Sequence, residues 1–288
     1  MIKPYKISVP KSTLNTIYKK VRAYPWNMMQ NVNGWEYGTN YNYLKKISQY
    51  WASKYNWKKF ENKINSFKNY KTNVDGINLH FIVEKSKNPK SRPLLLLHGW
   101  PGSVIEFFDI IPKLAHPEKY GGKIEDGFDV IVPSLPGFGF STPIKKALGP
   151  RKIGKILNKF MVKNLGHKNY IVQGGDWGAT IAAWIGLDSA KNCKGIHINC
   201  LPIRHPKGPR NNKEKKWEKK FNFDQIMQEG YRTQQATKPQ SLSYAMIDSP
   251  VGTAAWILEK FHGWSHLNEG KIEKDGPRRH HHGVSEYQ

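Results

Sequence analysis

Residues 174–178 read Gly-Gly-Asp-Trp-Gly, preceded by the apolar run Tyr170-Ile171-Val172-Gln173 and followed by a helical pattern from Trp177 to about Leu187. A chain that passes directly from a buried strand into a helix must turn sharply. Small residues around Asp176 permit this, because the apex of such an elbow is strained and its flanks are crowded. Leu94 to Leu97 is wholly apolar, as a strand covered on both faces requires. Asp129-Val130-Ile131-Val132 reads as another buried strand, and a further strand is expected near Ile196 to Asn199. Helical patterns lie between, one through Ile105, Phe108, Ile111 and Leu114, another through Ile153, Ile156, Leu157, Phe160 and Leu165. Strands alternating with helices predict an α/β fold with a parallel sheet clothed on both sides.

The flanks differ from this core. After Val9-Pro10, a Ser12/Thr13 cap is expected to open a helix with Leu14, Ile17, Tyr18 and Val21 on one face. Tyr43, Leu44, Ile47, Tyr50 and Trp51 mark a second helix, and Ile77 to Val83 alternates as a half-buried strand. From about Leu201 the chain is polar and Lys-rich through Lys220, then amphipathic to Trp264, which suits an inserted helical lid. The expected division is an N-terminal helical segment 1–75, an α/β core 76–200, a lid 201–266 and a polar tail 267–288.

Two cysteines, Cys193 and Cys200, are too few for a disulfide scaffold. Without a long apolar run or an apolar leader after Met1, and with a mean hydropathy of −0.66, the expectation is a soluble, cytoplasmic protein with no membrane span. The net charge is +24, but its lysines are spread from Lys3 onward, so solvated surface charge is expected rather than a nucleic-acid partner. Lys207 to Lys220, around Trp217, is interrupted by Glu214 and Glu218 and reads as an exposed lid helix. His262 and His266 are four apart, but no third ligand accompanies them and no metal site is expected.

Asp176 occupies the position that a serine holds in the G-x-S-x-G elbow of α/β-hydrolases. A carboxylate there cannot usefully attack an ester, because the anhydride formed is too reactive. It can displace a leaving group from an sp3 carbon and form an alkyl ester, which suits epoxides and alkyl halides. The plainer alternative is that Asp176 caps the helix that follows. About eighty residues earlier, His98-Gly99-Trp100-Pro101 ends another buried strand, where one backbone N–H of an oxyanion hole belongs. The expected donors are the N–H groups of Trp100 and Trp177, with Pro101 holding the loop.

With these residues in place, the chain resembles the epoxide hydrolases of the microsomal and juvenile-hormone branch from about Tyr5 to Trp264. The likeness rests on His98-Gly99-Trp100-Pro101-Gly102-Ser103, Ser134-Leu135-Pro136-Gly137-Phe138-Gly139-Phe140-Ser141 and the Asp176 elbow. It continues through Gly230-Tyr231, Thr237-Lys238-Pro239-Gln240, Asp248-Ser249-Pro250-Val251-Gly252 and Ala255 to Trp264. The resemblance implies an α/β-hydrolase fold with an N-terminal helical extension and a helical lid. It implies cofactor-free opening of a small apolar epoxide by water to a vicinal diol, with Asp176 as nucleophile and Tyr231 as lid acid. A phenol, with a pKa near 10, can protonate the alkoxide that leaves an oxirane. A halide needs no proton, so Tyr231 favours the epoxide over a haloalkane dehalogenase reaction.

The family also uses a histidine and a carboxylate after the lid, on loops following further core strands. No such pattern follows Trp264, and His280-His281-His282 has no strand before it. The expectation is therefore a chain truncated before its last core strands, impaired in turnover or a non-catalytic remnant. A homodimer is one way of covering the exposed sheet edge.

Overall fold

The computed structural model describes residues 1–32, 34–200 and 206–265. In chain order its main elements are β1 (Lys3–Pro4), α1 (Lys11–Arg22), α2 (Tyr41–Ser53), α3 (Trp57–Asn65), β2 (Lys68–Val74), β3 (Ile77–Glu84) and β4 (Arg92–Leu97). Then come α4 (Ile111–Ala115), β5 (Phe128–Pro133), α5 (Pro150–Lys159), β6 (Tyr170–Gly174), α6 (Trp177–Asp188) and β7 (Cys193–Ile198). Four helices follow: α7 (Asn212–Gln228), α8 (Gly230–Thr237), α9 (Pro239–Asp248) and α10 (Pro250–Gly263).

The chain forms two compact units, one of residues 1–8 and 57–202, the other of residues 9–56 and those from 203 onward. The first 75 residues thus contribute to both.

The first unit holds one seven-stranded sheet of order β1-β2-β3-β5-β4-β6-β7. The strands read from the sequence around Leu94, Val130, Ile171 and Ile196 form its parallel half, β5-β4-β6-β7, as expected. The other half is antiparallel, so the sheet is mixed rather than parallel throughout. A two-residue turn accounts for one of these pairings: Asp75 and Gly76, with φ of 51° and 83°, close a hairpin between β2 and β3.

Because side chains alternate along a strand, β4 feeds both cores. Leu95 and Leu97 pack with Ile153, Leu157, Ile181 and Ile185 of α5 and α6. Leu94 and Leu96 pack with Ile64, Phe108 and Ile111 on the opposite face. Leu95 and Leu97 are fully buried, which contributes roughly 1.5–3 kcal/mol each. An Arg151–Asp188 fork ties α5 to α6 at 2.8 Å.

Two helical expectations need correction. The pattern from Ile105 to Leu114 is broken into a 3-10 turn, Val104–Phe107, and the short α4. Pro112 lacks the N–H that a continuous helix would need there. Helix α1 starts at Lys11 after Pro10, with no side-chain cap from Ser12 or Thr13.

In the second unit, Val21, Leu44 and Val251 bury one another, with Ile17, Trp51, Ala254 and Leu258 around them. Here α1 and α2 pack against α10, and Thr39 Oγ1 donates to Ala255 O at 2.5 Å. Among the described residues, no helix is long and apolar enough to cross a membrane.

Candidate active site

Three parallel strands end level with one another. Leu97 of β4 pairs with Gly174 of β6, which pairs with Ile198 of β7. Two residues beyond each pairing stand Gly99, Asp176 and Cys200, so the sheet register itself gathers them. Asp176 has φ 51° and ψ −123°, well away from the left-handed helical region, a conformation that costs about 1–3 kcal/mol. Contacts with no space for a side chain enforce it. A Cβ on Gly174 would lie 2.1 Å from Gly178 O, and one on Gly178 would lie 2.1 Å from Leu97 O.

Asp176 stands at the N-cap of α6, yet its carboxylate makes no capping hydrogen bond. Its Oδ1 instead accepts the Trp100 N–H at 2.9 Å. The capping alternative therefore does not describe this side chain. Oδ2 is the other oxygen of a carboxylate held by a main-chain amide from the neighbouring strand.

The Trp100 amide is held in turn. His98 is buried, and its Nε2 accepts the Leu135 N–H at 3.0 Å. The ring proton therefore sits on Nδ1, which donates to Gly99 O at 3.0 Å. Gly99 O also accepts the Gly102 N–H at 3.1 Å. Gly99 C=O and Trp100 N–H are two ends of one planar peptide, so fixing the first aims the second. Burial depresses the His98 pKa to about 4, which keeps the ring neutral. Pro101 follows through a cis peptide bond. Trp177 N–H opens α6, where the first amides have no acceptor within the helix, and the Trp177 side chain is exposed.

The site thus brings together His98, Gly99, Trp100, Pro101, Asp176 and Trp177, all named from the sequence. It also contains two residues that the sequence reading missed. Asn199 packs so closely that a Cβ on Gly175 would lie 2.5 Å from its Oδ1. Cys200 lies beside Asp176: burial and the nearby carboxylate push its thiol pKa up, against a hydrogen bond from the Asp176 main chain. Neither belongs to a motif, and only the register of β6 with β7 reveals them.

Tyr231 lies in the second unit, on α8, with its ring edge on Trp264 at 5.0 Å. The ammonium of Lys260, a buried residue on α10, lies 5.0 Å from the Tyr231 ring centre and 3.3 Å from Gln228 O. His262 stacks flat on Trp35 at 3.9 Å. His266 and the tail 267–288, including His280-His281-His282, lie outside the described residues.

Residues 92–265 match the family model for the alpha/beta hydrolase fold, and residues 2–107 match the model for the epoxide hydrolase N terminus. The chain belongs to the α/β-hydrolase fold family. This α/β hydrolase, which carries the epoxide-hydrolase N-terminal segment, is 35% identical over 303 residues to epoxide hydrolase 1 of Oryctolagus cuniculus. The alignment covers 96% of this chain and 66% of that protein. Among solved structures it is similar to juvenile hormone epoxide hydrolase from the silkworm Bombyx mori, with a TM-score of 0.75 and 32% identity. That match covers 92% of this chain and 64% of that one. It is also similar to Aspergillus niger epoxide hydrolase, with a TM-score of 0.80 and 28% identity, over 95% and 73% of the two chains. The hydrolase spans 62% to 66% of the length of such curated relatives.

Proposed function

We propose that this α/β hydrolase opens small apolar epoxides through a covalent alkyl ester on Asp176. Oδ2 attacks an oxirane carbon, the carbon–oxygen bond breaks, and the resulting alkoxide takes the Tyr231 phenol proton. Water then cleaves the ester, releasing a vicinal diol, regenerating the carboxylate and returning a proton to the Tyr231 phenolate. During that second step Oδ1 carries the developing negative charge, and the Trp100 and Trp177 amides are the donors offered to it.

The observation that carries this reading is the Trp100 N–H on Asp176 Oδ1 at 2.9 Å, with Asp176 at the strained apex rather than capping its helix. One oxygen is anchored where an oxyanion will form, which leaves the other as the attacking atom. The epoxide-hydrolase names of the relatives support the substrate class, and Tyr231 supports the need for a proton.

Incubating the protein with styrene oxide and digesting it tests the reading. A mass increase of one substrate on the Asp176 peptide, absent from Asp176→Ala, is expected, together with slower formation in Tyr231→Phe. No adduct and no diol from the wild-type protein would refute it.

A further inference from the structure

A second buried histidine lies in the same unit, and the proposed chemistry makes no direct use of it. His80, on β3, is fully buried, with the Tyr5 ring at 5.8 Å and the Phe140 ring at 5.1 Å. Its polar atoms are all engaged. Asn69 Nδ2 donates to Ile64 O and Phe67 O, at 2.9 and 2.8 Å, so Asn69 Oδ1 must be the acceptor for His80 Nε2–H at 3.0 Å. His80 Nδ1 then accepts the Ser134 hydroxyl proton at 2.9 Å.

Ser134 is clamped at every polar atom. Its N–H donates to His80 O at 2.9 Å, and its carbonyl accepts the Ser141 hydroxyl at 2.8 Å. Ser141 Oγ in turn accepts the His80 N–H at 2.9 Å. The next main-chain amide, Leu135 N–H, is the one that sets the tautomer of His98.

We infer that Asn69, His80 and Ser134 are positioning residues for the oxyanion donor, acting through Leu135, His98 and the Gly99–Trp100 peptide on Asp176. The Asn69 amide, held by two carbonyls, places the proton on Nε2 of His80, and the Leu135 N–H places it on Nδ1 of His98; the Ser134–Leu135 main chain joins the two rings. The line is buried from Asn69 to His98, and buried hydrogen bonds of this kind polarise one another. Losing the Leu135 amide would let His98 carry its proton on Nε2. Its bare Nδ1 would then face the lone pairs of Gly99 O, and the peptide that aims the Trp100 N–H would be released.

This inference rests on the proposed role of Asp176, but two of its tests do not need activity. In the wild-type protein, nitrogen-15 spectra of the histidine rings should show the Nε2–H form for His80 and the Nδ1–H form for His98. The reverse tautomer at His98, or a charged ring at neutral pH, would overturn the inference. In Ser134→Ala the Trp100 amide proton should move upfield, and Ser134→Thr, which keeps the hydroxyl, should restore it. With styrene oxide, Ser134→Ala should lower the maximal rate of adduct formation about tenfold with the half-saturating concentration unchanged. A folded Ser134→Ala with the wild-type Trp100 resonance would overturn the relay. A wild-type protein that forms no adduct would overturn the catalytic reading instead, and the spectra would still decide the relay.

Discussion

Gly99→Ala isolates the contact on which the site depends. A Cβ at residue 99 would lie 2.2 Å from Asp176 Oδ1, 2.5 Å from its Cβ and 2.7 Å from its Cγ. Ordinary contact with these atoms begins at about 3.5 Å, so the carboxylate or the loop must retreat by about 1 Å. Neither can do so freely. Asp176 is fixed by an elbow with no room for a side chain at Gly174 or Gly178, and Gly99 O is held by His98 and Gly102. The retreat therefore breaks the 2.9 Å bond from Trp100 N–H or turns Oδ2 off the line of attack proposed for it. A displacement of that size at a reacting group costs about a hundredfold in rate, and overpacking of this kind costs about 1–3 kcal/mol of stability. The assay is the rate of styrene-oxide adduct formation on the Asp176 peptide, with a urea unfolding curve for the same variant. A folded Gly99→Ala that alkylates at the wild-type rate would show that the carboxylate is not held as described.

Three further outcomes are expected of the protein. Gly178→Ala should lose about 2 kcal/mol in urea, because the new methyl group meets main chain (Leu97 O at 2.1 Å and His98 O at 2.9 Å) rather than a side chain that can move; an unchanged midpoint would contradict the close packing of β4 and α6. Lys260→Met should destabilise the helical unit by about 2 kcal/mol, because Glu259 and the Gln228 carbonyl lose a buried partner, and an equal or higher melting temperature would count against this. Acid should weaken the fold well before carboxylates titrate: His80 is held near 3 and His98 near 4 by burial, whereas in the unfolded chain both take protons near 6.5. Their contribution is complete above pH 6.5 and falls as pH drops towards their folded values, with a slope that approaches about 2.7 kcal/mol per pH unit near pH 5. His167 and His262, also lowered by burial, act in the same direction, and flat urea stability between pH 7 and pH 5 would refute the argument.

The centre of the parallel half was legible because β4 and β5 have both faces covered and so read as apolar runs, as Leu94 to Leu97 does, whereas β7 is largely exposed and was read only from Ile196 and Ile198. Strand β2 was not, because two of its buried positions are polar. Asn69 is buried to hold His80, and Thr72 Oγ1 takes the Asn164 amide at 3.0 Å. A pattern that scores polarity as exposure misses such a strand. Its turn, Asp75-Gly76, is the dipeptide that a tight hairpin with two positive φ angles selects, yet it too was not read from the sequence. His98, Trp100 and Asp176 could be named because each sits in a glycine-bearing motif at a strand end. Asn199 and Cys200 could not, because they reach the site by pairing alone.

The site tolerates its strain because main chain, not side chains, holds it. Its geometry is carried by main chain: three parallel strands ending in register, the Trp100 amide on Asp176, and glycines at the points of closest approach. Side chains tune it from behind, and those that do so are buried and neutral. A charged ring at residue 80 or 98 would have no partner to receive its extra proton, since each ring nitrogen that accepts does so from a donor that cannot reverse its role at Leu135 and is clamped at Ser134. Acid and Ser134→Ala should therefore converge on one lesion, a misaimed Trp100 amide. The Trp100 amide resonance should move in the same direction under both, and opposite movements would separate the two histidines into independent structural roles.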